Sequence, residues 1–288
     1  MKVQLRHFLV DGLNIDSSGF NWKNRLLFND SKKPNENIAN VYVKIQRPLI
    51  ETPPKDGFQY DKEISESLHL ITIFLSCYGL ANNKSLPILE KNSSSAAEIE
   101  EKEIDLKNIR SWSVPLHPSK FPPLPIKETM QALNNTIPLF DNVIDIIENG
   151  SGHKLDVALI MYYRSVVTFD FMEGFVDLIT AFEALYSDSS ADLTYKIALR
   201  TSVFTETDPI KRRELFDYFR KDVYPTRSSL VHGKDVSFSF VSPYHLHQFS
   251  LRKTMETSLL NYIKLASQGK SKTDVLKHID NIALGMNL

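Results

Sequence analysis

The stretch YPTRSSLVHGK, residues 224–234, places an arginine and a histidine five positions apart and follows the histidine with a glycine. On a regular α-helix that spacing turns through about 500°, so Arg227 and His232 would not share one face. Gly233 can end the helix, because glycine readily adopts the left-handed conformation found at helix C-termini. His232 would then lie at the terminus, with freedom to turn back. Pro225 should break or restart the helix just before the arginine.

The sequence around this stretch is basic. Residues 209–234 contain seven basic and three acidic residues, whereas residues 126–288 contain 18 basic and 20 acidic residues. Positive charge is therefore concentrated near residue 227, as a phosphate-binding patch requires, although a solvated basic helix face has the same composition. The predicted nucleic-acid-binding residues are Lys211, Arg212, Arg213, Arg220, Lys221 and Lys234.

The segment RSSLVH, residues 227–232, resembles the R-x4-6-H signature of the HEPN superfamily, and most of all its ApeA-like members. The resemblance includes Glu183 in FEAL, Arg200 in ALR and Tyr224 three residues before Arg227, and it covers roughly residues 127–267. It implies an all-α helical bundle that dimerises. Many HEPN proteins are metal-independent endoribonucleases that act as toxins or antiviral effectors, and others only bind.

The residue types suit RNA cleavage without a metal. The reaction needs a base for the 2′-hydroxyl, an acid for the leaving 5′-oxygen and a cation for the phosphoryl oxygens. Histidine titrates near neutral pH and the arginine fork matches two phosphate oxygens. We therefore predict that Arg227 and His232 are catalytic, that the product is a 2′,3′-cyclic phosphate, and that no metal or cofactor takes part.

Four further residues are predicted to support this site. Ser228 is placed to position a phosphate or either catalytic side chain, and Tyr224 belongs to the same motif. Glu183 and Arg200 form either a buried ion pair that orients Arg227 or a pair that only satisfies itself within the bundle.

Three functions remain open: a HEPN-type endoribonuclease in phage defence or a toxin-like stress response, a catalytically inactive nucleic-acid or nucleotide-binding module, and a dimerisation scaffold. One histidine per chain leaves either the acid or the base role empty. The sequence therefore predicts a homodimer in which the 224–233 segments face each other across the two-fold axis. RNA and an antitoxin or regulatory protein are the other expected partners.

Composition limits the remaining possibilities. The 288 residues carry a formal net charge of −1, so no global field attracts nucleic acid or membrane. The single cysteine, Cys77, suits a reducing compartment. The N-terminus lacks signal-peptide features, and the longest apolar run is too short to cross a bilayer. We expect a soluble cytoplasmic protein with no membrane partner.

Hydrophobic periodicity predicts an α+β protein with three parts. Residues 1–114 form a small α/β region, residues 115–125 a proline-rich linker, and residues 126–288 an all-α bundle. In the first part we predict strands in KVQLRHFLV, NVYVKIQ and IRSWSVPL, residues 2–10, 40–46 and 109–116. We also predict a helix at 62–78 capped by Gly79, and a mobile loop at 90–103.

The bundle is predicted from apolar stripes and capping signals. Helices are expected at 127–149, where Pro138 should kink or split the helix, and at 155–168, 171–186 and 191–204. Asp208-Pro209, Ser242-Pro243 and the SKTD segment at 271–274 mark further helix starts. GSGHK, residues 150–154, lacks the complete phosphate-loop pattern and predicts a turn. His245 and His247 point about 200° apart on a helix and predict no metal site.

Overall fold

The computed structural model describes residues 2–11, 13, 15, 20–23, 25–30, 38–45, 58–82, 88–90, 97–100, 126–150, 152–168, 170–189, 191–233 and 243–286. The chain divides into two compact units, Met1–Ile137 and Pro138–Leu288. The division falls within a helix, and the proline-rich segment at 115–125 and the strand predicted at 109–116 lie outside the described residues. No helix in the described part is long and apolar enough to cross a membrane.

The first unit contains an antiparallel sheet built around its N-terminal strand. The strands are β1 Lys2–Asp11, β2 Phe20–Trp22, β3 Leu26–Asp30, β4 Ile38–Ile45, β5 Ile88–Glu90 and β6 Ala97–Glu100. The order is β2-β3-β4-β1-β5, with β6 also paired to β1. The strands predicted at 2–10 and 40–46 are confirmed as β1 and β4. The prediction of a loop at 90–103 is wrong for β6, whose glutamates are typical of an edge strand.

One long helix, α1 Phe58–Asn82, accompanies this sheet. It extends the predicted helix at both ends, and Gly79 lies inside it rather than at its cap. Residues 71–80 are all buried. A helix that is apolar all round is stabilised by burial, which here outweighs the helix-ending tendency of one glycine.

The second unit is helical, so the chain as a whole is mainly helical with a smaller β component. Its helices are α2 Ile126–Glu148 (shared with the first unit), α3 Leu155–Val167, α4 Phe171–Tyr186, α5 Leu193–Thr205, α6 Pro209–Tyr218, α7 Tyr224–Val231, α8 Pro243–Ala266 and α9 Lys272–Ala283. The apolar stripes predicted these helices closely, and α4 coincides with its predicted range. Of the two outcomes predicted for Pro138, the split is wrong, because α2 runs through it as one helix, and the kink stays a prediction.

Side-chain capping fixes where α6 and α9 begin. Asp208 Oδ1 accepts hydrogen bonds from the backbone N–H groups of Ile210 and Lys211 at 2.8 and 3.0 Å. Ser271 and Asp274 form the reciprocal capping box predicted from SKTD. These local contacts satisfy N–H groups that have no partner inside the helix, so helix starts could be located from sequence alone.

A π-helical segment, Phe219–Val223, joins α6 to α7 without a loop. The Tyr224 N–H donates to the carbonyl of Phe219, five residues earlier. Pro225 follows immediately and lies in the first turn of α7. Proline lacks an N–H and its ring clashes with the carbonyl four residues before it, which a wider turn relieves. The predicted break at Pro225 is therefore wrong, because the chain stays helical from Pro209 to Val231 and the proline is accommodated by one wider turn.

The π-helical segment is anchored in the core of the bundle. Phe219 is fully buried, and its ring meets that of Phe182 on α4 edge to face with 5.1 Å between the centroids. Val223 and Tyr224 are also buried. These contacts fix the first turn of α7 against α4, so the start of the motif is held on the bundle rather than on a free loop.

Candidate functional site

Arg227 is held by a carboxylate from α4. Its Nη2 lies 3.2 Å from Glu183 Oε2. The Arg227 side chain is 30% exposed and that of Glu183 is 17% exposed. The guanidinium is thus fixed at one nitrogen and still reaches the surface. Such a pre-oriented cation can bind an anion with little further loss of side-chain freedom.

The Glu183 carboxyl lies in a poorly solvated environment. Burial raises its pKa, while the charge of Arg227 and the nearby Tyr224 hydroxyl lower it. Burial and the charge of Glu183 in turn raise the pKa of Tyr224. Within the described residues, Glu183 Oε1, Tyr224 Oη and Arg227 Nε are buried without a hydrogen bond of standard geometry. The cluster is therefore only partly satisfied, and burying such groups costs stability.

His232 occupies the other end of α7. It is exposed and caps the helix, and its backbone N–H donates to the Ser228 carbonyl at 3.1 Å. Gly233 follows with φ 62°, so the helix ends where the glycine predicted. Ser228 is also exposed. Neither a hydrogen bond nor an ion pair joins Arg227 to His232 within the described part of a single chain.

The predicted pairing of Glu183 with Arg200 is wrong. Arg200 lies on α5, with a side chain only 6% exposed, and binds Asp280 on α9 through Nε and Nη2 at 2.9 and 2.8 Å. Its Nη2 also donates to Asp188, and its Nη1 donates to the Tyr186 carbonyl at the end of α4. Arg200 therefore ties α4, α5 and α9 together, and of the two residues predicted to pair, Glu183 is the one that contacts Arg227.

The predicted nucleic-acid-binding residues lie along α6 and the π-helical segment. Arg212 donates to the Glu206 carbonyl and has a structural role there. Arg213 and Lys221 both pair with Asp217 and are mostly exposed. Arg220 lies over the rings of Tyr195 and Phe216, and Lys211 is exposed in the first turn of α6. Lys234 lies outside the described residues.

No family model, no curated protein and no solved structure matches this chain. The resemblance to the HEPN superfamily therefore remains a prediction from residues 183–233.

The sequence did not reveal which residues bind Arg200 or which residues line the cavity beside Glu183. A cavity of about 720 Å³ lies beside Glu183 and is also lined by His153, Lys154 and Thr180. Asp188 and Asp280 are 12 and 80 residues from Arg200 in sequence. Helical periodicity says nothing about residues so far apart, because their contact depends on how the helices pack.

Proposed function

We propose that this protein is a metal-independent endoribonuclease of the HEPN type, acting in phage defence or a toxin-like stress response. The observation that supports it best is the arrangement of α7. Arg227 is held by Glu183 at one nitrogen and remains partly exposed, and His232 is exposed where the same helix ends. The proposed phosphate clamp and the proposed proton-transfer group thus lie on one helix and at its end.

Each side chain has one role in the proposed reaction. The guanidinium of Arg227 binds the phosphoryl oxygens, where negative charge grows as the 2′-oxygen attacks phosphorus. His232 either removes the proton of the 2′-hydroxyl or protonates the leaving 5′-oxygen. Glu183 is a positioning residue in this proposal, because it acts through the guanidinium of Arg227 that it binds. The products are a 2′,3′-cyclic phosphate and a 5′-hydroxyl.

A homodimer supplies the second imidazole. One chain offers one histidine at this site, and no contact joins it to Arg227 in the described part of that chain. In a two-fold dimer the same surface comes from both chains, so two copies of each side chain line one cleft. Val231, beside His232, is a large apolar residue that is 51% exposed. Its burial against a partner favours contact through α7.

A second candidate is a catalytically inactive module that binds nucleic acid. The Glu183–Arg227 ion pair favours it, because a carboxylate on the guanidinium competes with phosphate for the same donors.

Labelled total RNA incubated with the purified protein in EDTA separates the two candidates. Fragments ending in 2′,3′-cyclic phosphate support the endoribonuclease. Retention of intact RNA on the protein supports the inactive module, and neither cleavage nor binding contradicts both.

Arg227→Ala is expected to abolish cleavage and weaken RNA binding. Removal of a charge-assisted contact costs about 1–3 kcal/mol, which is roughly 5- to 150-fold in the dissociation constant. Filter binding measures the affinity, and Lys253→Ala is the control, because Lys253 is a 70% exposed cation of α8 that pairs with Glu256 and is not among the predicted nucleic-acid-binding residues. Equal affinities of wild type and Arg227→Ala would remove Arg227 from the binding site.

The same substitution should make stability depend on pH. Burial already raises the pKa of Glu183, and loss of Arg227 removes the charge that lowers it. A carboxyl whose pKa is raised by folding stabilises the folded state at low pH, and this contribution is lost as pH rises. We expect the free energy of unfolding of Arg227→Ala, relative to wild type, to fall as pH rises above 4.5, the ordinary pKa of a glutamate side chain. Urea titrations from pH 4 to 8 measure this. Adding Glu183→Gln to Arg227→Ala should remove this pH dependence of the free energy of unfolding. An unchanged pH dependence in the double variant would contradict its assignment to Glu183.

The composite site predicts complementation between inactive chains. Arg227→Ala and His232→Ala proteins should each be inactive, yet mixed heterodimers keep one intact Arg227 and one intact His232 across the interface. Co-expressed, differently tagged chains should therefore regain part of the activity. Light scattering gives the oligomeric state, and an active monomer at high micromolar concentration would exclude the composite site.

A further inference from the structure

A second cavity, of about 460 Å³, lies on the helical unit, and neither Arg227 nor His232 lines it. Four cationic and two acidic side chains line it. The cationic ones are Lys154 before α3, Arg200 on α5, and Lys272 and Lys277 on α9, and the acidic ones are Asp188 and Asp280. Charges from four separate segments of the chain therefore meet around one space.

Both carboxylates of this cavity are already engaged. Asp280 is bound by two nitrogens of Arg200, and Asp188 accepts from Arg200 and from Lys196, each at 2.9 Å. Lys272 Nζ donates to the Ala184 carbonyl at 2.6 Å, and the described residues include no ion pair for Lys154, Lys272 or Lys277. Asp188 acts on Lys272, and Asp274 acts on Lys277, through their charges alone, so the three lysines surround the cavity without a direct ion pair among the described residues.

Lys272 is held close to other cations in a partly buried place. Burial, then the charges of Lys154 and Arg200, lower the pKa of Lys272 to about 8, and the charge of Asp188 only partly opposes them. Like charges in a poorly solvated site repel one another, and a bound anion relieves that repulsion. The geometry and the electrostatics of the cavity both favour an anionic ligand.

Two residues just before α3 also belong to this wall. Lys154 is the N-cap residue and has the left-handed conformation, φ 52°, and the described side chains provide no cap hydrogen bond there. Gly152, which also lines the cavity, has φ 67°. Gly152 and Lys154 of the GSGHK segment therefore line a cavity with Arg200, Lys272 and Lys277, which the incomplete phosphate-loop pattern of the segment did not indicate.

We propose that the cavity formed by Lys154, Lys272 and Lys277 binds a phosphate group. Its volume lies within the range of small-ligand sites, so it can hold a pyrophosphate or the phosphates of a larger molecule. The site shares no residue with the Arg227–His232 pair, and the proposal does not depend on ribonuclease activity.

Isothermal titration of the full-length protein with inorganic pyrophosphate tests this site. Wild type should bind, and the Lys154→Ala/Lys277→Ala double variant should bind at least about tenfold more weakly, because each charge-assisted contact is worth more than 1 kcal/mol. Both lysines are exposed, so the fold should be unaffected. Lys264→Ala, which removes an exposed lysine of α8, is the matched control. No binding by wild type, or equal binding by the double variant, would overturn the proposal.

The affinity should also fall as pH rises through 8. Lys272 loses its proton near that pH, and an anion that binds the protonated form is then released. The charged and titratable groups around Lys272 are Lys154, His153, Asp188, Arg200, Lys277 and Asp280. A pyrophosphate affinity that is constant from pH 7 to 9, with wild type folded throughout, would contradict the role of Lys272.

Competition identifies the source of the phosphate. Single-stranded RNA that displaces pyrophosphate from wild type and from Arg227→Ala assigns the site to the RNA backbone. RNA that fails to displace it assigns the site to a free phosphorylated compound. Arg227→Ala should bind pyrophosphate as wild type does, so failure of the ribonuclease proposal and failure of this one are distinguishable.

Discussion

His232→Ala is expected to lose RNA cleavage by at least about 100-fold while keeping its fold, because proton transfer by a positioned side chain typically contributes 10²- to 10⁴-fold. His232 is exposed at the end of α7, so its imidazole has few packing contacts to lose. Its backbone N–H, which donates to the Ser228 carbonyl, is retained in alanine. The loss should therefore appear in the rate of cleavage and not in stability.

Cleavage of a labelled RNA in EDTA, followed on denaturing gels, gives the rate. The control is His69→Ala, which removes an exposed histidine of α1 outside the helical unit. RNA affinity should change much less in His232→Ala than in Arg227→Ala, because the imidazole acts in proton transfer. Cleavage by His232→Ala at the wild-type rate would exclude His232 as a catalytic residue.

Arg200→Met is expected to destabilise the helical unit by about 3 kcal/mol, the lower end of what breaking a buried ion pair costs. The side chain is 6% exposed and joins Asp280, Asp188 and the Tyr186 carbonyl. Methionine fills similar volume but donates no hydrogen bond, so the Tyr186 carbonyl loses its partner. The two carboxylates remain partly exposed, which limits the cost.

Guanidinium unfolding compares Arg200→Met with Lys196→Met, which removes the second cation on Asp188. Lys196 forms a more exposed pair, so its loss should cost less than about 1 kcal/mol. Arg200 and Lys196 lower the pKa of Asp188 below its ordinary value of 3.8. That stabilisation is present above pH 3.8 and lost as pH falls below it, so the difference between wild type and Arg200→Met should shrink in acid. Equal stability of wild type and Arg200→Met at pH 7 would show that the contacts of Arg200 with Asp188, Asp280 and the Tyr186 carbonyl do not stabilise the bundle.

Local sequence signals predicted the helices of the bundle well. The apolar stripe of α4 and the caps of α6 and α9 depend on residues within one or two helical turns of each other. Amphipathic stripes and N-terminal caps are common to helices of globular proteins, so they can be located from the sequence. The errors at Gly79 and Pro138 have a common cause. Both residues disfavour helix locally, yet α1 and α2 continue through them, and tertiary packing can outweigh such a local preference. β6 was missed because an edge strand needs no apolar alternation.

Residues 224–233 also have some features that local sequence determines and others that depend on tertiary packing. Residues 224–233 alone determined that the helix ends before Gly233 and leaves His232 at its terminus, because these features depend on backbone geometry within a few residues. Only the tertiary structure decided that Glu183 holds Arg227 and that Arg200 turns instead to Asp280. Those partners are 44 and 80 residues apart in sequence. Which carboxylate reaches which guanidinium depends on how α4, α5, α7 and α9 pack, and no local spacing records that packing.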